Sequence, residues 1–419
     1  MVLAALVSER NFFTLSGCKG QSSGFPPRLP RKRGRDLTEM SLGQDLWGLA
    51  MSAVAFLPIF IIPPSLTADA FYLPKILLLM GIEIAAAILL IRRSRSVAPD
   101  ADQIRALPRP FLAGNPMVLP LMVYGVVLGA ATVRSIDPFR SLIGEPFRWE
   151  GSIAFGLYGG LALLVPFTAD LGTASPSQRI NDLMRYGMVT AMALSLYGIA
   201  QRYGWDPIPR DAIRSAPHWA RLSFATLGNP NFFGDYLAIY FVVSGTRFIL
   251  GDAVRGEQSR MLDLAAVALA FYGLLSSLTR GSWLAAAAAS VLVLMAAIIA
   301  RIPLSRKRLV QLSLVLIILS LVWLKVDPRG HERVGSLTTD VAAESGSVGE
   351  RLWMWRGALN AIAARPVLGW GPDTFALVFP SFEPQGTRPP GLRNRLVDKV
   401  HNDYLQVAVA TGLLGLTAY

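Results

Sequence analysis

The sequence contains few charged residues and almost no cysteine. Of its 419 residues, 16% are charged and 53% are hydrophobic, and the mean hydropathy is +0.43. Because soluble domains usually contain about 25% charged residues, this composition excludes an ordinary soluble domain and indicates a polytopic membrane protein. Cys18 is the single cysteine, which excludes an intrachain disulfide and leaves no plausible cysteine-based metal site.

The chain carries a net charge of +12, which raises the question of nucleic-acid binding. Its basic residues cluster beside apolar segments, for example at 31–35 and 92–95. This placement fits membrane topology and anionic lipid head groups better than it fits a nucleic-acid surface. We therefore expect membrane lipids as partners, and no nucleic acid.

Apolar segments recur along the chain, each close to the length of about 20 residues that a helix needs to cross a bilayer. We predict an all-α, polytopic transmembrane helical bundle of about ten spans. The predicted spans are Leu46–Pro64, Phe71–Ile91, Pro116–Val133, Gly151–Thr168, Asp182–Tyr203, Asn231–Leu250, Met261–Leu278, Ser282–Ile302, Arg308–Lys325 and a last one from Asp403.

The basic connections between spans predict the orientation, because cytoplasmic loops carry an excess of lysine and arginine. Residues 1–45 are expected to be a disordered cytoplasmic segment and 46–325 the transmembrane helical region. Residues 326–402 are expected to be a large, partly helical periplasmic loop, and 403–419 the start of a further span. The chain stops inside that apolar run, so we expect a fragment of a longer protein, and Met1 and Met40 both remain open as its start.

The long loop 326–402 contains one segment with helical periodicity, residues 350–365, in which Leu352, Trp355, Leu359 and Ile362 are expected on one side. Trp353 and Trp355 fit a helix at the membrane surface. Turns are expected after this helix, at Pro366, Gly369, Gly371 and Pro372. The loop is interpreted as a lid or a small periplasmic subdomain; the alternative is a mobile connector.

Two of the predicted spans begin at helix-capping residues. Asn229 followed by Pro230 predicts the start of the sixth span, and Asn402 predicts a helix from Asp403. His401 then lies at the entrance of the last helix, beside exposed backbone N–H groups, where an anion can bind. The alternative is a histidine that anchors the helix at the lipid interface.

Small residues follow along that last helix. Ala408, Gly412 and Gly415 fall on one stripe at helical spacing. Such residues predict the close approach of another helix.

Further polar residues are expected on the same, outer side of the membrane. Arg148 and Glu150 precede the fourth span, Arg221 and Asn231 flank the start of the sixth, and Arg280 lies in the turn between the seventh and eighth. A single arginine at such a place usually extends its charge to the interface. Several together, near one histidine, indicate a functional site, because charges close to the membrane are costly.

Several segments together resemble the bacterial O-antigen ligase family: RWEG, R…GNPN, TRG, RLWMWRGALN…RPVLGWGPDTF and HNDYLQVAVATGLLG. The resemblance covers residues 140–419, and HNDYLQ…GLLG is its most specific part. It implies a multi-pass enzyme of the bacterial inner membrane that transfers a glycan from undecaprenyl pyrophosphate on the periplasmic side, without a metal or other cofactor. The implied acceptor is lipid A-core, another glycan or a protein, since the family includes O-antigen polymerases and protein O-oligosaccharyltransferases.

The resemblance also implies roles for individual residues. Arg221 and Arg280 match the arginines that bind the donor pyrophosphate, and His401 matches the residue near the acceptor hydroxyl. The chemistry is suitable, since arginine offers fixed bidentate donors to phosphate and histidine can accept a proton near neutral pH. Neighbouring arginines are expected to keep His401 neutral, and Glu150 is the second candidate base.

Four residues besides Arg221 and Arg280 are candidates for substrate binding: Arg148, Asn231, Arg351 and Asn402. No metal is expected, because the single Asp-x-Asp pair, Asp100 and Asp102, falls in the predicted cytoplasmic linker.

The main rival from another class is a transporter or flippase for a lipid-linked glycan. A flippase needs polar residues deep in its spans, and the middles of these spans are nearly bare of charge.

Overall fold

The computed structural model describes residues 37–62, 69–96, 116–146, 148–170, 175–207, 222–250, 257–327, 329–332, 334–335, 347–386, 388–389, 392–393 and 395–419. Over these residues the regular secondary structure is helical, and no strand occurs among them. The helices are α1 Leu37–Phe56, α2 Tyr72–Ser96, α3 Val118–Val133, α4 Pro138–Ile143, α5 Ser152–Asp170, α6 Pro176–Arg202, α7 Pro230–Leu250, α8 Glu257–Ser276, α9 Arg280–Ile299, α10 Arg306–Val326, α11 Ser347–Ala364, α12 Phe375–Phe382 and α13 Asp403–Ala418.

The all-helical class is confirmed over the part of the chain that the structure describes, and each predicted span overlaps a helix, although most helix ends differ from the predicted ones. Six of these helices are long and apolar enough to cross a membrane: α2 and α6–α10. Helices α3 and α5 provide shorter apolar segments, and α1 and α13 are not among the six. The count of about ten spans and the periplasmic position of loop 326–402 therefore stay predictions.

Some helix ends differ from the expected ones in a way that matters for the site. Helix α1 begins at Leu37, so part of the segment that was expected to be disordered is helical. Arg280 is the first residue of α9 rather than the middle of a turn. Both predicted caps are confirmed: the Asn402 side chain accepts a hydrogen bond from the backbone N–H of Leu405, and α7 begins directly after Asn229.

The helices group into two compact units. Unit one consists of Met1–Leu66 and Thr168–Pro328, and it contains α1 and α6–α10. Unit two consists of Thr67–Phe167 and Arg329–Tyr419, and it contains α2–α4, most of α5, and α11–α13. The expected domain boundaries at residues 45, 325 and 402 refer to the membrane and stay predictions.

The core of unit one is formed by the packing of α6–α9. Leu194 of α6, Phe233 and Leu237 of α7, Leu274 of α8 and Ala286 of α9 belong to one buried cluster. Such apolar helix faces gain stability by excluding solvent and by close packing.

Unit one also contains two buried ion pairs that join helices. Arg247 near the end of α7 donates from Nε to Asp263 of α8 at 3.1 Å, and Arg202 at the end of α6 binds Asp327 after α10. A charge buried without a partner is strongly unfavourable, so each pair holds two helix ends together.

Unit two has its main core around α11, α12 and α13. Met354, Ala358, Phe375, Phe379 and Val409 belong to this cluster. Of the residues that were expected on one side of α11, Ile362 is buried in this cluster and Trp355 packs against it. Leu352 and Leu359, which were expected on the same side as Trp355 and Ile362, are exposed.

Helix α13 is interrupted at Gly412, whose φ of +70° leaves the helical conformation. The carbonyl oxygen of Val409 accepts a hydrogen bond from the backbone N–H of Trp370 at 2.8 Å, so residues 366–371 lie directly against the helix. A Cβ atom on Gly412 would come within 2.2 Å of the Val367 carbonyl oxygen. At Gly412 the small residues thus contact the turn formed by residues 366–371, where the sequence predicted a helix.

Candidate active site

The loop that carries Arg148, Trp149 and Glu150 connects α4 to α5 and closes on itself. The backbones of Gly144 and Gly151 meet at its base, where a Cβ atom on Gly151 would lie 2.4 Å from the Gly144 nitrogen. No side chain fits at this contact. The loop is therefore fixed by two glycines, and it presents a positive and a negative side chain close together.

Trp149 anchors this loop to the beginning of α2. Its indole Nε1 donates to Asp69 Oδ2 at 2.7 Å. Asp69 is buried, and it also accepts hydrogen bonds from the backbone N–H groups of Phe71, Tyr72 and Leu73, which caps α2. One carboxylate thus fixes both the helix start and the loop that holds Glu150.

Asp373 links three separate segments of unit two. Its Oδ1 accepts from Lys399 Nζ at 3.1 Å and its Oδ2 accepts from the backbone N–H of Glu145 at 2.6 Å. Its carbonyl oxygen accepts from Arg140 Nε at 2.8 Å. The Asp373 side chain is 4% exposed, so this carboxylate acts as an internal connector between α4, the turn before α12 and the segment before α13.

Lys399 lies between two carboxylates. Its ammonium group donates both to Asp373 and to Glu150 Oε2. The Lys399 side chain is mostly buried, and a buried ammonium is stable only when it is paired. Glu150, the second candidate base, is therefore the counter-ion of Lys399 in this structure.

The backbone on either side of His401 is held by hydrogen bonds. The Val400 carbonyl accepts from Trp355 Nε1 at 3.1 Å, and the Val400 N–H donates to Gln406 Oε1 at 2.9 Å. On the other side, Asn402 caps α13. His401 is thus fixed at the entrance of the helix, as the sequence predicted.

Three non-glycine residues of this cluster have left-handed backbone conformations. The φ angles are 56° for Trp149, 56° for Asp373 and 55° for His401. A conformation of this kind costs about 1–3 kcal/mol at each position and persists when the surrounding contacts enforce it. Such residues concentrate at functional sites, and here one of the three is the histidine itself.

The surroundings of His401 lower the pKa of its imidazole and so favour the neutral form. His401 retains contact with solvent, but the neighbouring protein still removes part of its hydration, and this desolvation is the main reason why its pKa is lowered. The positive charge of Arg351 lowers this pKa further, Asp398 opposes the shift, and Arg148 and Lys399 lower it again. This is the direction that the sequence analysis expected from neighbouring arginines.

The structure thus brings five of the predicted site residues into one region of unit two: His401, Asn402, Glu150, Arg148 and Arg351. Arg148 is in turn paired with Asp398, and both side chains keep about a third of their surface exposed. Cationic side chains beside an imidazole with a lowered pKa suit a reaction between a substrate that carries an anionic group and one that loses a proton.

Two other predicted residues lie in unit one. Arg280 is half-buried at the first position of α9, and Asn231 is exposed in the first turn of α7. A network of hydroxyl groups surrounds the start of α9: Thr279 Oγ1 donates to Ser282 Oγ at 3.0 Å, and Ser282 Oγ donates to Asp235 Oδ1 at 2.6 Å. Arg221, Asp100 and Asp102 lie outside the described residues.

The sequence analysis did not identify the role of Asp373, nor the bond that Lys399 makes to it. Asp373 lies in GWGPDTF, a segment that the sequence marked only as a series of turns. A charged residue directly before a helix and after a Gly-Pro turn was the available signal, although it indicates no partner by itself.

The family comparison covers the part of the chain that contains most of this site. The family model described as O-antigen ligase matches residues 265–419, which include Arg280, Arg351, Asp373, Lys399 and His401. No curated protein and no solved structure matches the chain. Residues 265–419 of the chain are thus similar to the O-antigen ligase family.

Proposed function

We propose that this protein transfers a glycan from undecaprenyl pyrophosphate to an acceptor hydroxyl on the periplasmic face of the bacterial inner membrane. The match of residues 265–419 to the O-antigen ligase family supports glycan transfer in general. The observation that carries the proposal is the state of His401: its pKa is lowered, cationic side chains surround it, and its backbone is held in a left-handed conformation.

In the proposed reaction, His401 acts as the general base. An imidazole nitrogen takes the proton of the acceptor hydroxyl while that oxygen forms a bond to the anomeric carbon of the donor sugar. The bond between this carbon and the phosphate oxygen breaks, and undecaprenyl pyrophosphate leaves with the negative charge. A positioned proton acceptor contributes about 10²- to 10⁴-fold to the rate.

Arginines stabilise the leaving group in this proposal. Arg280 and Arg221 bind the pyrophosphate of the donor, because a guanidinium offers two parallel donors that match phosphate oxygens. Arg148, Arg351 and Asn402 bind the substrate close to His401, where their position in unit two supports that role. Asn231 is exposed and available for a polar contact to substrate.

Glu150, Lys399 and Asp373 position the histidine. Lys399 precedes His401 by two residues, and its ammonium is fixed by both carboxylates. The same arrangement supports a reaction without a metal, because a divalent cation would have to displace the ammonium group from between Glu150 and Asp373. With Glu150 bound to Lys399, His401 is the better base of the two candidates.

The acceptor distinguishes three versions of this function: ligation to lipid A-core, polymerisation of a glycan, and transfer to a protein.

The rival transporter function has one observation in its favour, Glu83, which lies near the middle of α2 against Gly160 of α5. A transport path needs a series of such groups across the membrane. The carboxylate of Glu83 alone does not form such a series, so the transferase remains the favoured function. Covalent attachment of labelled glycan to an acceptor separates the two functions.

The decisive experiment compares the wild type with His401→Ala in single-turnover transfer, at saturating lipid-linked donor and from pH 5 to 9. We expect transfer to fall by about 10²- to 10⁴-fold, donor binding to persist, and the rise of the rate with pH to disappear. His331→Ala is the matched control, since His331 is exposed and lies outside this cluster. A His401→Ala variant with the wild-type rate and pH profile would remove His401 from the mechanism and make Glu150 the base to test.

The donor site is tested separately through Arg280. Both Arg280→Ala and Arg280→Lys are expected to weaken donor binding, by about 10- to 150-fold for the alanine variant, since a lysine cannot reproduce the planar fork. Arg185→Lys, an exposed arginine on α6, is the control. Unchanged donor affinity in both Arg280 variants contradicts the assignment.

A further inference from the structure

A cleft of about 150 Å³ lies between α7, α9 and α10 in unit one. It is formed by the last turns of α7, the second half of α9 and the first half of α10. Its apolar walls include Phe241, Ile249, Val293, Ala297, Leu312 and Leu316.

The cleft presents hydrocarbon surface even where its lining residues are polar. Thr246 and Ser290 both contribute to its walls, but their hydroxyl groups donate to carbonyls of their own helices, Val242 and Ala286, at 2.7 Å. An apolar cavity of about this volume stays dry and takes up a hydrocarbon guest of the size of benzene. The ligand that fits is therefore a hydrocarbon chain.

The cleft is open to the hydrocarbon of the bilayer. Helices α9 and α10, which form two of its walls, are the least buried of the six candidate spans. Leu294, another lining residue, is also exposed. Lipid chains thus have direct access to it from the membrane.

Positive charge concentrates at one end of the cleft. Leu304 lines the cleft from the connection between α9 and α10, and the exposed residues Arg301, Arg306 and Lys307 lie in or beside this connection. Arg308 is on the same face of α10 as the lining residues Leu312 and Leu316, because residues four apart share one side of a helix. An apolar chain and a negatively charged head group would therefore both find a matching surface.

This end is not the one where the donor pyrophosphate is proposed to bind. Arg280 opens α9, and Ala297 lies near its other end. A helix of 20 residues is about 30 Å long. The basic connection is therefore separated from Arg280 by nearly the whole thickness of the membrane.

We propose that the cleft and the basic connection bind an anionic glycerophospholipid of the surrounding membrane. One acyl chain lies in the cleft between α7, α9 and α10, and the phosphate lies against Arg306 and Lys307. A zwitterionic lipid would gain the same apolar contacts but less attraction to the basic residues.

The test uses the purified full chain, delipidated in detergent and then mixed with dioleoyl phosphatidylglycerol or dioleoyl phosphatidylcholine. Retained lipid is counted by mass spectrometry after gel filtration. Phosphatidylglycerol should be retained in preference, and Lys307→Ala should weaken its binding about fivefold. Lys325→Ala is the matched control, because Lys325 is an exposed lysine at the opposite end of the same helix.

The apolar half of the proposal is tested by filling the cleft. Ala297→Phe should reduce retention of phosphatidylglycerol, whereas Ala288→Phe, on an exposed part of the same helix, should leave it unchanged. Ser290→Leu fills the cleft from a second position if Ala297→Phe proves unstable. Equal retention of both lipids, unaltered binding in both filled variants, or preferential displacement by undecaprenyl phosphate would each overturn the proposal.

Discussion

Ion pairs occur in both units and differ in exposure, and unit two contains the buried pair Lys399–Asp373 as well as an exposed one. In unit one the side chains of Arg202 and Asp327 are 7% and 0% exposed. In unit two those of Arg148 and Asp398 are 30% and 34% exposed. Pairs of the first kind join helix ends, whereas pairs of the second kind stay accessible to a substrate. Exposure thus separates charges that hold the fold from charges that are available for chemistry.

Both units also contain non-glycine residues with a strained, left-handed backbone. In unit two they lie within the charged cluster, at Trp149, Asp373 and His401. In unit one Leu278 has a φ of 57° just before Thr279 and Arg280, and its surroundings contain hydroxyl groups. Both regions with predicted site residues therefore contain enforced conformations, which supports a functional interpretation of each.

The largest expected effect comes from breaking a buried pair in unit one. Asp263→Ala leaves Arg247 buried, with Asn181 as its remaining partner among the described residues. We expect a loss of about 3–5 kcal/mol in the free energy of unfolding, measured by denaturant unfolding in detergent.

The matching control replaces both charges of this pair. Arg247→Met with Asp263→Leu removes the unpaired charge and should restore most of the stability. If Asp263→Ala alone is as stable as the wild type, the pair does not hold α7 and α8 together, and the contrast between the units fails.

The next effect concerns a residue that acts through its neighbours. Asp373→Asn keeps the shape of the side chain but removes the charge that fixes Lys399. A displacement of a catalytic group by about 1 Å can lower the rate about 10²-fold. We therefore expect kcat at saturating substrate to fall by up to about 10²-fold, with donor affinity unchanged. The rise of the rate with pH should persist, because the base remains in place.

Asp398→Asn serves as the comparison, because Asp398 is more exposed and binds Arg148 instead. We expect it to lower kcat less than Asp373→Asn does. If Asp373→Asn lowers kcat only in proportion to lost folded protein, Asp373 is a structural residue and does not position His401.

Hydropathy and capping residues were sufficient to predict most of the fold. The apolar segments gave the helices, and Asn402 and Asn229 gave the starts of α13 and α7, because both signals act over a few neighbouring residues. Periodicity placed Leu352 and Leu359 on one side of α11, but it did not show that both are exposed. Periodicity identifies an apolar face, but in a membrane protein an apolar residue can equally face lipid.

The site was predictable only where its residues belong to local motifs. His401 and Arg148 were found from their position next to helix starts. The role of Asp373 depends on contacts to Lys399 and Glu145, which are 26 and 228 residues away in sequence. The sequence does not show such long-range pairs, nor does it show that Gly412 would interrupt α13.

The smallest expected effect is a shift in the pH profile, and it tests the electrostatics of unit two directly. In the proposed mechanism the neutral imidazole of His401 is the base, so the rate is expected to rise as pH rises through its pKa. Arg351 lowers this pKa below its ordinary value, because a nearby positive charge disfavours protonation. In Arg351→Gln the pKa should rise, so the acid limb of kcat should move to higher pH. At pH 8–9, where the imidazole is neutral in both proteins, kcat should be nearly equal.

Arg356→Gln is the control, since Arg356 is exposed on the same helix and does not contribute to this pKa. At about 1 M salt the difference should shrink, because the screening length falls to roughly 3 Å. An acid limb that stays in place in Arg351→Gln would show that the group being titrated is not a histidine beside Arg351.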